Sequence, residues 1–232
     1  MASIDLRLGD CFEGLKSIPD KSIDLVVTDP PYKISTKGAG IMRKKNIRTY
    51  DAIEPIASGY DERIIPELIR VMKKINIYIW LSHAQLLPTL NLFVNEYKCN
   101  YTVIAWHKTS CPPFCNNNYL KDSEYCIHFR ERGVPIYGDY QTKKTYYVTG
   151  INRDKDQYKH PTIKPLQIIT NMIINSSREG DTVLDPFIGS GTTGVACMQT
   201  GRNFIGFEID PTYYQIAQKR IEEAQCQLVT IS

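Results

Sequence analysis

Two stretches carry residue types that could do chemistry: Asp29-Pro30-Pro31-Tyr32, and the run from Asp185 through Gly189, Ser190, Gly191, Thr192 and Thr193 to Gly194. The first follows Ser22 to Val27, apolar and β-branched enough to read as a buried parallel strand. Asp29 then stands at a strand's carboxyl end, where open α/β sheets bind ligands. Pro30 and Pro31 fix their own φ angles, remove two backbone donors and bias Asp29 toward extended backbone, so the strand exit is stiff. A carboxylate, bare carbonyl acceptors and an aromatic face remain. That set suits a planar molecule bearing an amino group, whose N–H bonds meet the acceptors while Tyr32 stacks on its π-face. Taken alone, the same four residues also read as a polar turn.

In the second stretch, Asp181 to Leu184 reads as a strand, Asp185-Pro186-Phe187 as its exit and Val195 to Thr200 as the helix that follows. Gly189, Gly191 and Gly194 satisfy G-x-G-x-x-G between strand and helix, and Glu208 lies 19 residues after Gly189, where an acid can hold ribose hydroxyls. On this loop alone a dinucleotide dehydrogenase stands open. The acidic strand ends at Asp29 and Asp185 point instead to S-adenosylmethionine, which shares adenosine with NAD but carries ammonium and sulfonium charges and no phosphate.

The positioning elements follow from periodicity. Strands are predicted at Ile4–Leu8, Ser22–Thr28, Ile77–Leu81, Tyr101–Trp106, Glu124–Phe129 and Phe204–Phe207. Helices are predicted over Cys11–Ile18, Tyr60–Lys74, Ala84–Tyr97 with Pro88 in its first turn, Pro165–Ser176, and from the Asp210-Pro211 cap to about Gln225. The alternation predicts a doubly wound, mostly parallel, Rossmann-like sheet with helices on both faces. Between Lys108 and Lys159 the rhythm breaks, which predicts strands of an antiparallel edge and an irregular insertion.

At 232 residues the chain is expected to form one α/β domain, 1–232, with a mobile basic loop at 33–59 and a small inserted region at 108–159. No run resembles a signal peptide or spans a bilayer, so a soluble cytoplasmic protein without membrane contact is expected. Seven scattered cysteines fit reduced thiols. The net charge of +3 does not by itself argue for nucleic acid. Its distribution does, because Lys33, Lys37, Arg43, Lys44, Lys45 and Arg48 leave the Asp29 stretch with no acid among them. Lys143 and Lys144, interleaved with Tyr140, Tyr146 and Tyr147, suit phosphate contact and base stacking. Cys111, Cys115, Cys126 and His128 lack the spacing of paired zinc knuckles, so no metal is expected. Trp80 and Trp106 read as core.

Asp29-Pro30-Pro31-Tyr32 together with Asp185-Pro186-Phe187-Ile188-Gly189-Ser190-Gly191-Thr192-Thr193 resembles the amino-methylating DNA methyltransferases, which modify adenine N6 or cytosine N4. The order, with His160-Pro161-Thr162-Ile163-Lys164-Pro165 just ahead of the glycine loop, is similar to the circularly permuted β group of that family. The resemblance implies a class I fold and transfer of methyl from S-adenosylmethionine to adenine N6 of a flipped base. It leaves cytosine N4, or a non-catalytic specificity subunit, as alternatives. It implies that Asp29, Pro30, Pro31 and Tyr32 are catalytic, and that Asp185, Phe187, Gly189, Ser190, Gly191, Thr192 and Thr193 line the cofactor pocket together with Asp29. Glu208 would hold the ribose, Asp10 and Cys11 would meet the adenine, and Thr162 and Lys164 would sit at the methionine end. The implied partners are double-stranded DNA, a companion restriction endonuclease and a second copy in a homodimer. Residues 108–159 hold the place of the family's target-recognition region.

Overall fold

The structure, a computed structural model, describes residues 2–32, 61, 63–111, 119–150 and 163–231. The elements are β1 (Ile4–Leu8), α1 (Cys11–Leu15), β2 (Leu25–Thr28), α2 (Ile64–Val71), β3 (Asn76–Leu81), α3 (His83–Leu90), β4 (Asn100–Lys108), β5 (Ser123–Arg130), β6 (Tyr146–Thr149), α4 (Leu166–Ser176), β7 (Thr182–Asp185), α5 (Thr192–Thr200), β8 (Asn203–Glu208) and α6 (Pro211–Ile231).

The strands form one eight-stranded sheet in the order β1-β8-β7-β2-β3-β5-β4-β6. β2 pairs in parallel with β3 on one side and with β7 on the other, with Leu25 opposite Val183 and Val26 opposite Leu184. That register brings two strands far apart in the chain side by side, and both leave the sheet at the same edge. Every residue of β2 is buried because both faces are covered. Leu25 and Val27 face a core shared with Ile169, Met172 and Ile173 of α4 and Ala196 of α5. Val26 faces the other core, with Leu68 of α2, Phe93 and Phe129. Burying each such side chain contributes roughly 1.5–3 kcal/mol.

β5 is antiparallel, as predicted, but it lies inside the sheet, between β3 and β4. The outer strand is β6, which pairs in parallel with β4 and which its short aromatic sequence did not reveal. The segment read as an insertion therefore gives two strands to the sheet itself. α3 also departs from expectation. Pro88 lies inside the helix instead of in its first turn, and the chain continues as a π-helical stretch over Asn91–Glu96. A proline has no N–H to give the preceding turn, and its ring crowds the carbonyl four residues back, so the regular ladder is lost there.

The amino ends of the strands are tied by a buried polar network. Asn76 Nδ2 donates to the carbonyls of Asp24 (3.0 Å) and Ser176 (2.9 Å), while its Oδ1 meets His128 Nε2 at 3.0 Å. The His128 ring stacks on Tyr78 at 4.0 Å between centroids. Burial, helped by Arg130, pushes the His128 pKa down to about 3, so the imidazole is neutral. No described helix is long and apolar enough to cross a membrane.

Candidate active site

At the carboxyl ends of β1, β8, β7 and β2 a cavity of about 430 Å³ opens, and both sequence stretches line it. Asp29, Pro30, Pro31 and Tyr32 form one wall. Asp185, Phe187, Gly189, Ser190, Thr192 and Thr193 form the opposite one, with Asp10, Cys11 and Glu208 beside them and Lys164 between the two. Gly191, in the same loop, is not among the lining residues, and Thr162 lies outside the described residues.

The glycine wall is built from backbone. Gly191 has φ +86°, in the left-handed region, and a Cβ there would come within 2.8 Å of the Ala217 backbone in α6. A Cβ on Gly194 would meet Ile221 at 2.5 Å. The loop is pinned from below by Arg220, a buried cation that sequence reading missed. Its Nη1 donates to Ser190 O (2.7 Å), Ser190 Oγ (2.9 Å) and Thr192 Oγ1 (3.2 Å). The signal was a charged residue inside the apolar stripe Ala217, Ile221, Ala224 of α6.

Acids at the strand tips are held by the same backbone. Glu208 Oε2 accepts from Gly189 N (2.8 Å) and Oε1 from Asp210 N (2.9 Å), which orients the carboxylate at the cavity wall with further lone pairs to offer. Burial raises its pKa. Asp185 Oδ2 accepts from Thr193 Oγ1 (2.7 Å) and Oδ1 from Phe187 N (3.1 Å). Burial, with Asp29 nearby, pushes the Asp185 pKa up to about 7 against those bonds. Asp10 is the N-cap of α1, accepting from Phe12 N at 2.7 Å. Burial and the neighbouring Asp10 push the Cys11 thiol up to about 12, so it is protonated.

On the other wall, Lys164 governs the electrostatics. Its side chain is 6 % exposed, and its Nζ donates to Asp29 Oδ2 and to Tyr32 Oη (3.2 Å) and lies 3.2 Å from Glu124 Oε2. The ammonium also sits 4.9 Å from the Trp80 ring and 5.4 Å from the Tyr32 ring. Its charge is shared between Asp29 and Glu124. Burial pulls its pKa down, and Asp29, Tyr32 and Glu124 outweigh that, so Lys164 stays charged. Burial raises Asp29 and Glu124 adds to the rise, with Lys164 opposing both. Asp29 Oδ1 is enclosed and has no hydrogen-bond partner among the described residues.

Gln85, also missed, steadies the proline pair. Its Oε1 accepts from Ser82 N (3.1 Å), which turns its Nε2 to donate to the Pro31 carbonyl at 3.2 Å. Ser82-His83-Ala84-Gln85 was legible as a capping box. Trp80 is fully buried as predicted, yet it also lines the cavity.

The basic residues Lys33, Lys37, Arg43, Lys44, Lys45 and Arg48 lie outside the described residues. Lys143 and Lys144 do not join the site. Lys143 follows Thr142, whose carbonyl accepts from Asn175 Nδ2 (2.8 Å) near the C-terminal end of α4, beside the amino ends of the strands. Lys144 precedes Thr145, whose carbonyl accepts from Ala105 N (2.9 Å) in β4, and its ammonium lies 6.0 Å from the Tyr140 ring. His128 and Cys126 are core residues of β5, Cys115 is outside the described residues, and no cluster of metal-binding side chains occurs among those described.

Among the described residues the cavity is lined by five carboxylates, Asp10, Asp29, Glu124, Asp185 and Glu208, and one ammonium, Lys164. A pyrophosphate is repelled there, whereas a nucleoside bearing positive charge is attracted. A doubly wound sheet with this cavity at the carboxyl edge, a glycine loop and an acid on the next strand defines a nucleoside-cofactor enzyme of the α/β class. The model of the DNA methylase family matches residues 23–219, and the chain belongs to that family. It is 31% identical to the Type II methyltransferase M2.MboI of Moraxella bovis over 243 residues, covering 95% of this chain and 88% of the relative. It is 26% identical to the DNA adenine methyltransferase YhdJ of Escherichia coli K12 over 247 residues, covering 93% of this chain and 82% of that one. Among solved structures it is similar to the M1.HpyAVI–SAM complex, with a TM-score of 0.69 and 25% identity, covering 94% of this chain and 99% of that one.

Proposed function

We propose that the protein transfers a methyl group from S-adenosylmethionine to the N6 amino group of adenine in double-stranded DNA. The observation that carries this is the joining of Asp29-Pro30-Pro31-Tyr32 and the Gly189–Thr193 loop on one acidic cavity. The cofactor is supported by the unphosphorylated, cation-seeking chemistry of the wall and by the SAM-bound structure that the chain resembles. Adenine is supported by the likeness to YhdJ, named as an adenine methyltransferase. Cytosine N4 is the second reading, because its amino group offers the same donors.

Glu208 would hold ribose hydroxyls, Phe187 and Ile188 would cover the adenine, and Asp185 would place negative charge toward the sulfonium. When bound, the cofactor supplies an electrophilic methyl group. An exocyclic amine is conjugated with its ring and poorly nucleophilic. Asp29 and the Pro30 carbonyl draw its N–H bonds out of the ring plane and return lone-pair character to nitrogen, while Tyr32 stacks on the base. Extruding the base costs a few kcal/mol, which stacking partly offsets. No nucleophilic cysteine enters, and Cys11 is held as a thiol.

Target selection is assigned to residues 108–159, whose described part places Tyr119 and Leu120 exposed just ahead of β5, at the cavity edge of the sheet. A companion restriction endonuclease is supported by the Type II designation of M2.MboI. Action on the DNA of a bacterial cell, as the likeness to M2.MboI supports, would put the protein in the cytoplasm. A second copy in a homodimer is open to sedimentation analysis. The deciding experiment incubates unmethylated DNA with the protein and methyl-labelled cofactor, then identifies the modified nucleoside. N6-methyladenine is expected, N4-methylcytosine would select the second reading, and cofactor binding without labelled DNA would mark a specificity subunit.

A further inference from the structure

Beyond the two motifs, a line of alternating charges leads from the reacting carboxylate toward the protein surface. Asp29 pairs with Lys164, Lys164 lies 3.2 Å from Glu124 Oε2, and Glu124 Oε1 accepts from Lys108 Nζ. Side-chain exposure is 27 % at Asp29, 6 % at Lys164, 20 % at Glu124 and 35 % at Lys108. Each member is fixed by the fold. Glu124 is the second residue of β5, Lys108 ends β4 with its ammonium 4.7 Å from the Trp106 ring, and Lys164 lies just before α4. Among the described residues β5 is the one strand antiparallel to its neighbours, and its direction brings Glu124, near its amino end, to the edge where the parallel strands deliver their carboxyl ends.

We propose that Glu124, held by Lys108, is a positioning residue for the methyl-transfer reaction: it shares the Lys164 ammonium with Asp29, so that Asp29 is anchored through one oxygen without being fully neutralised as an acceptor for the target amine. A lysine bound to Asp29 alone would draw electron density from the carboxylate that must polarise the amine's N–H bonds. A second carboxylate on the same ammonium divides that pull. Burial pushes Glu124 up, but Lys164 and Lys108 together bring it below its ordinary value. Its negative charge in turn raises Asp29. The groups facing Asp29 are Tyr32 on its own segment, Lys164 ahead of α4, Glu124 and the protonated thiol of Cys126 on β5, and Asp185 on β7.

The inference rests on the methyltransferase reading, and the tests separate the two. The full chain is assayed for kcat as a function of pH at saturating S-adenosylmethionine and DNA, so that cofactor binding through Asp185 does not enter. Glu124→Gln keeps the shape and removes the charge. Its kcat is expected to fall about tenfold to a hundredfold, the range seen when residues that orient a reacting ligand are removed at metal sites. KM for the cofactor should stay within about twofold, and the acid limb of the kcat profile should move to lower pH. Glu124→Asp should restore the position of the limb. Lys108→Met leaves Glu124 uncompensated and should move the limb the opposite way, which decides the matter even if the Glu124 variants fold poorly. Wild-type kcat and an unmoved limb in Glu124→Gln, or an unmoved limb in Lys108→Met, would overturn the role. Failure of the wild type to label DNA would instead overturn the methyltransferase reading.

Discussion

Asp185 is a carboxyl at the end of β7 that accepts from Thr193 Oγ1 and the Phe187 amide, and burial has raised its pKa to about 7. A cation binds the ionised form, so a proton must leave Asp185 before the attraction exists. Above about pH 7 cofactor affinity should be flat; as pH falls through that value the dissociation constant should rise toward about tenfold per pH unit. Asp185→Asn should bind weakly at every pH and lose that dependence, and calorimetric titration between pH 5.5 and 8.5 reads both. A steep pH dependence surviving in the variant would place the proton elsewhere. The pair of acidic strand ends was legible in the sequence because both carry Asp-Pro after an apolar run. The partners of Asp29 were only half legible. Lys164 was found through the His160–Pro165 segment, but its pairing with Asp29 and Glu124 was not. Glu124 lies within a strand-like run, where nothing local marks an acid that reaches a lysine 40 residues later.

The glycine loop and α6 form a unit at the scale of elements. Gly191 combines a left-handed backbone with a 2.8 Å approach to Ala217, and Arg220 bonds the loop from the same helix. Gly191→Ala is expected to cost about 2 kcal/mol or more from the αL penalty and the overlap together. That corresponds to a fall of roughly 4–8 °C in melting temperature for a chain of this size, with cofactor affinity lost in step. An unchanged melting temperature would mean that α6 yields easily, and that the loop is not held as described. Glycine spacing made this element readable without coordinates. Arg220 was not, since only the turn of α6 shows which residues of its apolar stripe face the loop. β6 and the interior position of β5 were likewise hidden. Strand order depends on pairings between distant segments, and the run Tyr146–Thr149 has no apolar alternation strong enough to declare a strand.

For the whole molecule, charge is the question. The net charge is +3 and the cavity is acidic, so attraction for a polyanion must come from basic residues outside the cavity wall. Lys143 and Lys144 do not line the cavity, and the cluster from Lys33 to Arg48 is the basic sequence feature adjoining Tyr32. Replacing Lys44 and Lys45 with Ala should weaken binding to all DNA sequences alike and reduce the slope of log affinity against log salt by up to about 2. Fluorescence anisotropy over a salt series checks it, and an unaltered slope would remove these lysines from the interface. The fold class was legible from the strand and helix alternation, and so was the meeting of the two motifs, because parallel strands all deliver their carboxyl ends to one edge.

The account turns on Asp29 acting on the target amine while the cofactor is held by the other wall. The direct measurement is single-turnover transfer of labelled methyl to DNA by Asp29→Ala, alongside its affinity for S-adenosylmethionine. Transfer should drop by on the order of a hundred- to a thousandfold or more, with cofactor affinity within a few-fold of the wild type. Transfer at the wild-type rate by Asp29→Ala would contradict it.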